Sequence, residues 1–227
     1  MKFFITGTTS GLGSSLQQQL LNSSDEIVVL NRKKIDIENI DEIQISNLKN
    51  ISQIISSLSD NMSIIKDVNV CILNAGTLGQ IENAVDINSS SLLDSFQINC
   101  LSNKVIIDFL LKNSDCKTFI YISSGASSKA YTGWLEYCST KSFSDAMFRV
   151  YAKENLNKIF VSVSPGAIDT KMQNQIRNSS IEEYPDMKKF VDLFGNNMLR
   201  SPFDAADQLL KKINDLTLED SGSFIKI

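Results

Sequence analysis

The chain opens on Lys2-Phe3-Phe4-Ile5 and turns at once into Thr6-Gly7-Thr8-Thr9-Ser10-Gly11-Leu12-Gly13, after which Leu12, Leu16 and Leu20 recur at helical spacing. An apolar run, a glycine-rich turn and an amphipathic stretch, in that order, predict a buried strand feeding a helix. Glycines in such a turn let backbone N–H groups and the helix N-terminus approach a pyrophosphate where a side chain would obstruct it. Three glycines in a polar loop are, taken alone, only a turn. The flanking strand and helix favour the phosphate.

A strand leading into a helix needs a second strand to return to, and the rest of the chain alternates accordingly. Ile27-Val28-Val29-Leu30 reads as a second buried strand, Glu42 to Ile45 as a third and Asp67 to Leu73 as a fourth. Thr118 to Ser123, Ile159 to Val163 and a short Ser223 to Ile227 complete the set. Ile51, Ile54, Ile55 and Leu58 mark an amphipathic helix over 51–58. Residues 89–112 predict a long helix with Leu92, Leu93 and Phe96 leading to Asn99 in its middle, and Asp204 to Ile213 another. About a dozen residues separate the second strand from the third, near the minimum for a parallel crossover, so the helix there should be truncated or missing. Residues 171–200 lose periodicity and mix charge with Met172, Met187, Phe190 and Phe194, which reads as one or two short helices forming a mobile lid. The pattern predicts an α/β fold, a Rossmann-type doubly wound parallel sheet in a single domain over residues 1–227, with ligand at the strand carboxyl ends.

Tyr121 to Lys141, YISSGASSKAYTGWLEYCSTK, carries the chemistry. Ser124 lies thirteen residues before Tyr137 and Lys141 four after it, so a helix starting near Tyr137 puts the phenol and the ammonium on one face, with a strand-end serine in reach. An isolated phenol has a pKa of about 10 and shuttles protons poorly at neutral pH. Lowering it by about three units takes roughly 4 kcal/mol, which a nearby ammonium can supply. Such a tyrosine serves as general acid or base toward a carbonyl or alcohol oxygen that the serine holds. A half-buried tyrosine beside a surface lysine is the plainer reading of Tyr137 alone. A second Tyr-x-x-x-Lys, Tyr184 with Lys188, has Lys171 in place of the serine and Pro185 after its tyrosine, and reads as a solvated turn.

At the end of the second strand an acidic residue would bind a ribose 2′-hydroxyl, but Asn31 stands there, followed by Arg32, Lys33 and Lys34. A 2′-phosphate fits better. Elsewhere the charge argues against large anionic partners: a net −4 and a pI near 5.0 give no footprint for nucleic acid or an anionic membrane. No apolar run reaches the ~18 residues of a membrane span, and no signal peptide is read at Met1, so a cytoplasmic protein is expected. The chain contains no histidine, which excludes histidine-dependent triads and the usual zinc sites. No metal is expected. Cys71, Cys100, Cys116 and Cys138 are too scattered for a C-x-x-C site and read as reduced packing residues, with Cys138 the one whose oxidation would affect activity.

With Thr6-Gly7-x-x-x-Gly11-x-Gly13, Asn74-Ala75-Gly76, Asn99, Ser124, Tyr137-x-x-x-Lys141 and Pro165-Gly166 in this order, nearly the whole chain resembles the short-chain dehydrogenase/reductase family. The resemblance implies that Ser124 positions a substrate carbonyl and that Tyr137 is the acid/base. It further implies that Lys141 lowers the phenol pKa and binds the nicotinamide ribose, and that Asn99 holds a water in a proton relay. It places Gly7, Thr9, Ser10, Gly11, Leu12 and Gly13 at the pyrophosphate, Asn31 and Arg32 at the adenosine 2′ position, and Asn47 and Leu48 at adenine. Asn74, Ala75 and Gly76 fall beside the adenosine ribose, and Pro165, Gly166, Ile168 and Thr170 near the carboxamide. Two departures stand out: Asn47-Leu48 replaces the usual Asp-Leu, and Ser10 replaces a basic residue, so NADP rests on Arg32, with Lys33 in support.

The segments SSGASSKAYTGWLEYC and PGAIDTKMQNQIR look like the sepiapterin reductase and benzil reductase branch, which reduces dicarbonyl-type substrates with NADPH. The implied activity is reduction of a small ketone or dicarbonyl, with a sugar or acyl intermediate, or a non-enzymatic NADP sensor, as alternatives. Trp134, Tyr131, Met172 and Phe194 are candidates to line the substrate pocket. Family members pair through the helices that here carry Asn99 and Tyr137, implying a homodimer or homotetramer.

Overall fold

Phe3 and Ile5 face one way along β1 (Lys2–Thr6) and Phe4 the other, and all three are buried, as a strand covered on both faces requires. The computed structural model, which describes residues 1–23, 25–180 and 182–227, continues with α1 (Gly11–Asn22), β2 (Glu26–Asn31), β3 (Ile40–Gln44), α2 (Ile51–Asp60), α3 (Met62–Ile65) and β4 (Val70–Leu73). Next come α4 (Ser89–Phe96), a π-helical segment (Gln97–Leu101), α5 (Ser102–Asn113), β5 (Thr118–Ile122) and α6 (Leu135–Glu154). The chain closes with β6 (Ile159–Ser164), α7 (Lys171–Arg177), α8 (Lys188–Gly195), α9 (Pro202–Asn214) and β7 (Phe224–Lys226).

Seven parallel strands lie in the order β3-β2-β1-β4-β5-β6-β7. The winding reverses between β1 and β4, and the crevice outside their carboxyl ends is where such sheets take ligands. One core layer packs Phe4, Val28, Phe119, Tyr121 and Phe160 under α2, α5 and α6; the other packs Phe3, Ile5, Ile27, Val161 and Val163 under α1 and α9. The doubly wound sheet expected from the alternation is the fold.

Three expectations need adjustment. Residues 67–69 precede β4 rather than belonging to it: the Asn69 N–H donates to the Lys2 carbonyl at 2.9 Å and its Oδ1 accepts from the Lys2 N–H, which fixes a lead-in turn. β3 starts at Ile40, two residues before the expected Glu42. The long helix over 89–112 is continuous to Asn113 but is interrupted by the π-helical segment that contains Asn99. The crossover between β2 and β3 lacks a helix, in keeping with its length. Only the loop Arg32 to Asn39 runs there, and in it Asp36 and Asn39 adopt φ of 51° and 65°, a conformation these residue types tolerate. The Glu42 carboxylate accepts from the Ile35 N–H at 3.0 Å and holds the loop.

The four cysteines are free; Cys71, Cys100 and Cys116 are buried and Cys138 is half-buried. Among the described residues no helix is long and apolar enough to cross a membrane, and no group of metal-ligating side chains gathers.

Candidate active site

The glycine turn is held from behind by side chains of neighbouring strands. Thr6 Oγ1 accepts from the N–H groups of Asn74 and Ala75 at 3.1 and 3.0 Å, and Asn74 Nδ2 donates to the carbonyls of Thr6 and Gly7 at 3.1 and 2.8 Å. Asn31 does the same from β2: its Oδ1 accepts from the Thr8 N–H at 2.9 Å and its Nδ2 donates to Thr8 Oγ1 at 2.8 Å. Asn31 is 2% exposed, its amide spent on the adjacent turn, which a short side chain at a strand end finds first. Gly13 is obligatory, because a Cβ there would overlap the Gly7 carbonyl oxygen and come within 2.6 Å of Asn74 Nδ2. Thr9 and Ser10 are exposed, and Ser10, at the N-cap, makes no side-chain hydrogen bond, so the first-turn amides of α1 lack a side-chain cap. Leu12 packs into the core beneath.

Along the rim Arg32 and Lys33 are exposed and, among the described residues, make no ion pair, whereas Lys34 pairs with Asp36 at 3.0 Å. Leu48 is buried, which leaves only its backbone for a ligand, and Asn47 Oδ1 accepts from the Lys49 N–H at 3.0 Å. On the far side, Thr170 caps α7 by accepting from the Gln173 N–H at 3.3 Å, and its Cγ2 lies 3.2 Å from where a Gly11 Cβ would sit. The Pro165 carbonyl accepts from Arg200 at 3.1 Å, Gly166 takes φ +79°, and Ile168 pairs with Arg200 in an isolated bridge.

Asn99, Ser124, Tyr137 and Lys141 converge beyond the carboxyl ends of β4 and β5. The π-helical segment turns Asn99 inward, where it is 1% exposed: its Oδ1 accepts from the Thr77 N–H at 2.8 Å, and its Nδ2 donates to the Thr77 carbonyl and to Thr140 Oγ1 at 2.9 and 3.0 Å. Its own carbonyl accepts from Asn103 Nδ2 at 2.7 Å and Ser144 Oγ at 3.1 Å. Gly76 permits the approach, a Cβ there lying 3.2 Å from Asn99 Oδ1 and 4.0 Å from Lys141 Nζ. Lys141 is buried; its Nζ donates to the Ile122 carbonyl at 2.6 Å and lies 5.4 Å from the Tyr137 ring centroid.

The electrostatics correct one expectation. Burial pushes the Tyr137 phenol up to about 12, the Ser124 hydroxyl opposing this only in part, and burial pulls the Lys141 ammonium down to about 8. The phenol is therefore raised rather than lowered, because removing a phenolate from water outweighs the ammonium at this separation. At neutral pH the pair is a neutral phenol above a charged lysine. That arrangement suits proton donation.

An aromatic wall closes the other side. Trp134 meets Tyr137 edge-on with centroids 5.6 Å apart and stacks on Phe190 at 5.2 Å, while Tyr131 packs against Trp134 and Phe190 and Met172 borders the cluster. Phe190 occupies the place expected of Phe194, which is exposed beneath the Arg177 guanidinium at 3.9 Å. Nothing in the sequence distinguishes those two positions. Tyr184 is also corrected: it is 6% exposed, packed against Gly133 within this cluster, rather than in a solvated turn. Glu136 and Gln173 carry no signal in the sequence; both are buried, with Glu136 Oε1 and both polar atoms of the Gln173 amide lacking partners among the described residues.

A family model for short chain dehydrogenases matches residues 2–180. A benzil reductase ((S)-benzoin forming) of Bacillus subtilis (strain 168) is 32% identical over 225 residues, covering 92% of this chain and 91% of its own. The sepiapterin reductase of Bos taurus is 30% identical over 125 residues, 52% of this chain and 46% of its own. Among solved structures, KRED1-Pglu superposes with a TM-score of 0.89 over 99% of this chain and 100% of its own, at 20% identity. Fold, motif order and relatives agree that the chain belongs to the short-chain dehydrogenase/reductase family, in its sepiapterin and benzil reductase-like branch.

Proposed function

We propose that the chain is an NADPH-dependent reductase that converts a small ketone or dicarbonyl to an alcohol, with Tyr137 as the proton donor. The observation that carries the reading is the gathering of Ser124, Tyr137 and Lys141 in the same cleft as a glycine turn that packs against its own backbone so closely at Gly13 that no side chain fits. The cradle suits a dinucleotide: Gly7, Thr9, Ser10, Gly11, Leu12 and Gly13 would hold the pyrophosphate, and Arg32, free of ion pairs among the described residues, a 2′-phosphate. Asn74, Ala75 and Gly76 would meet the ribose through backbone, and Asn47 and Leu48 adenine. Ile168 and Thr170, with Pro165 and Gly166 behind them, would meet the carboxamide.

When bound, NADPH supplies the hydride. The chain does the rest. Ser124 donates a hydrogen bond that holds the carbonyl oxygen, and Tyr137 gives that oxygen its proton. The Lys141 ammonium stabilises the phenolate left behind, while Asn99 anchors the Thr77 loop beside it. Residues 171–200 act as the lid, with Phe190 shielding the oxygen from water. The named activity of the benzil reductase relatives supports a vicinal dicarbonyl. Exposed Phe143 and Val150 on the outer face of α6 support pairing of two copies through α5 and α6.

The test is NADPH consumption by the purified protein with vicinal diketones, pterin-like carbonyls, quinones and keto sugars, with NADH in parallel. Turnover of a diketone with NADPH is expected. Tight NADPH binding without turnover across the panel would overturn the carbonyl reductase reading.

A further inference from the structure

Asp145 lies one helical turn beyond Lys141 on α6, is 5% exposed, and its Oδ1 has no hydrogen-bond partner among the described residues. A buried carboxylate with an unsatisfied oxygen is costly, so its neighbours must account for it. Residues four apart on a helix face the same way, which sets Asp145 on the Lys141 side of α6. From β5, Tyr121 packs beneath the same stretch of helix: its ring lies 4.7 Å from Lys141 Nζ and 5.5 Å from the Phe148 centroid. The Tyr121 hydroxyl is likewise buried and unpartnered. Ser144 sits beside that hydroxyl, but its own bond runs to the Asn99 carbonyl at 3.1 Å. The Tyr121 hydroxyl and Asp145 Oδ1 are both buried without a partner, and neither bonds the other.

The groups facing Lys141 are Tyr121 from β5, Cys100 from the π-helical segment, and Tyr137 and Asp145 from its own helix. Cys100 is neutral near pH 7, since burial raises its thiol to about 11, and its Sγ donates to the Thr140 carbonyl at 3.4 Å. Both tyrosines are neutral too, held so by burial. Asp145 is the one carboxylate among these groups, and it is the main influence opposing the loss of the lysine proton to burial. We propose that Asp145, one helical turn from Lys141 on the same face of α6, is a positioning residue that keeps Lys141 in its ammonium form beneath Tyr137. The inference rests on the reading that the Lys141 ammonium serves Tyr137.

The experiment is a pH titration by NMR of protein carrying ¹³Cε-labelled lysine, with the Lys141 signal assigned by its loss in Lys141→Arg, alongside the pH profile of kcat. In Asp145→Asn the Lys141 midpoint should fall by about one pH unit, and the alkaline limb of kcat should move with it. Asp145→Glu should restore both. An unchanged Lys141 midpoint in Asp145→Asn overturns the proposal. Should that variant fail to fold, an unchanged midpoint in Asp145→Ser overturns it instead. The lysine titration needs no substrate, so it reports on Asp145 even if turnover shows the reductase reading to be wrong.

Discussion

On the glycine-turn side of the cleft, Thr6, Thr8, Asn31 and Asn74 bond one another and the backbone; on the aromatic side, Trp134 Nε1, Glu136 Oε1 and the Gln173 amide are buried without partners among the described residues. The side chains of the first wall are paired, and what it offers a ligand is the uncapped first-turn amides of α1. Those of the second are not, and a wall with unmet hydrogen-bonding groups is one that a polar substrate can still shape. The contrast separates two tasks, holding an unvarying dinucleotide and choosing among carbonyl compounds.

Each wall can be broken alone. Tyr137→Phe should lower kcat by about 10³-fold with NADPH affinity kept, since only a proton donor is removed; stopped-flow turnover with fluorescence titration of NADPH checks both, and retained turnover would remove Tyr137 from the chemistry. Gly13→Ala attacks the other wall: forcing a Cβ against the Gly7 carbonyl should destabilise the fold by about 3 kcal/mol in urea and abolish tight NADPH binding. Arg32→Ala should weaken NADPH about tenfold and leave NADH unchanged, an interaction with a charged group contributing about 1.5–3 kcal/mol. Equal losses for both cofactors would move the 2′-phosphate elsewhere.

Phe190→Ala should raise KM about threefold with little change in NADPH affinity, as loss of one aromatic pair costs about 0.5–1.5 kcal/mol. An effect on cofactor binding instead would dissolve the distinction between the walls. The smallest effect is that of pH. Lys141 is an ammonium below about 8 and neutral above it, while Tyr137, at about 12, stays protonated throughout. The reductive rate should therefore halve near pH 8 and keep falling on the alkaline side.

The same contrast decides how much the sequence could convey. The glycine turn is a local affair of backbone clearance, so Gly7, Gly11 and Gly13 announce it within eight residues of chain, and the strand–helix alternation carries the sheet with it. The spacing of Ser124, Tyr137 and Lys141 is legible for the same reason, two of them sharing one helix face. What escapes is settled across distance. That Asn31 turns back to Thr8, that Phe190 rather than Phe194 meets Trp134, and that Tyr184 is buried under Gly133 all depend on which surfaces dock. The state of the Tyr137 phenol escapes too, because burial rather than the neighbouring charge dominates it, and burial has no signature in a spacing.

The π-helical segment at Gln97–Leu101 can also be treated as a question of phase. A regular helix advances about 100° per residue, so one residue accommodated without an added turn offsets everything beyond it by that angle. Upstream, Phe96 leans on Phe143 at 4.8 Å; downstream, Asn103 reaches back to the Asn99 carbonyl and Ile106 and Ile107 enter the core. A strict 3.6-residue rhythm could not serve both halves. The chain thus keeps two amphipathic stripes in register with one sheet by resetting the clock between them, and deleting a single residue from this segment would face one stripe toward water.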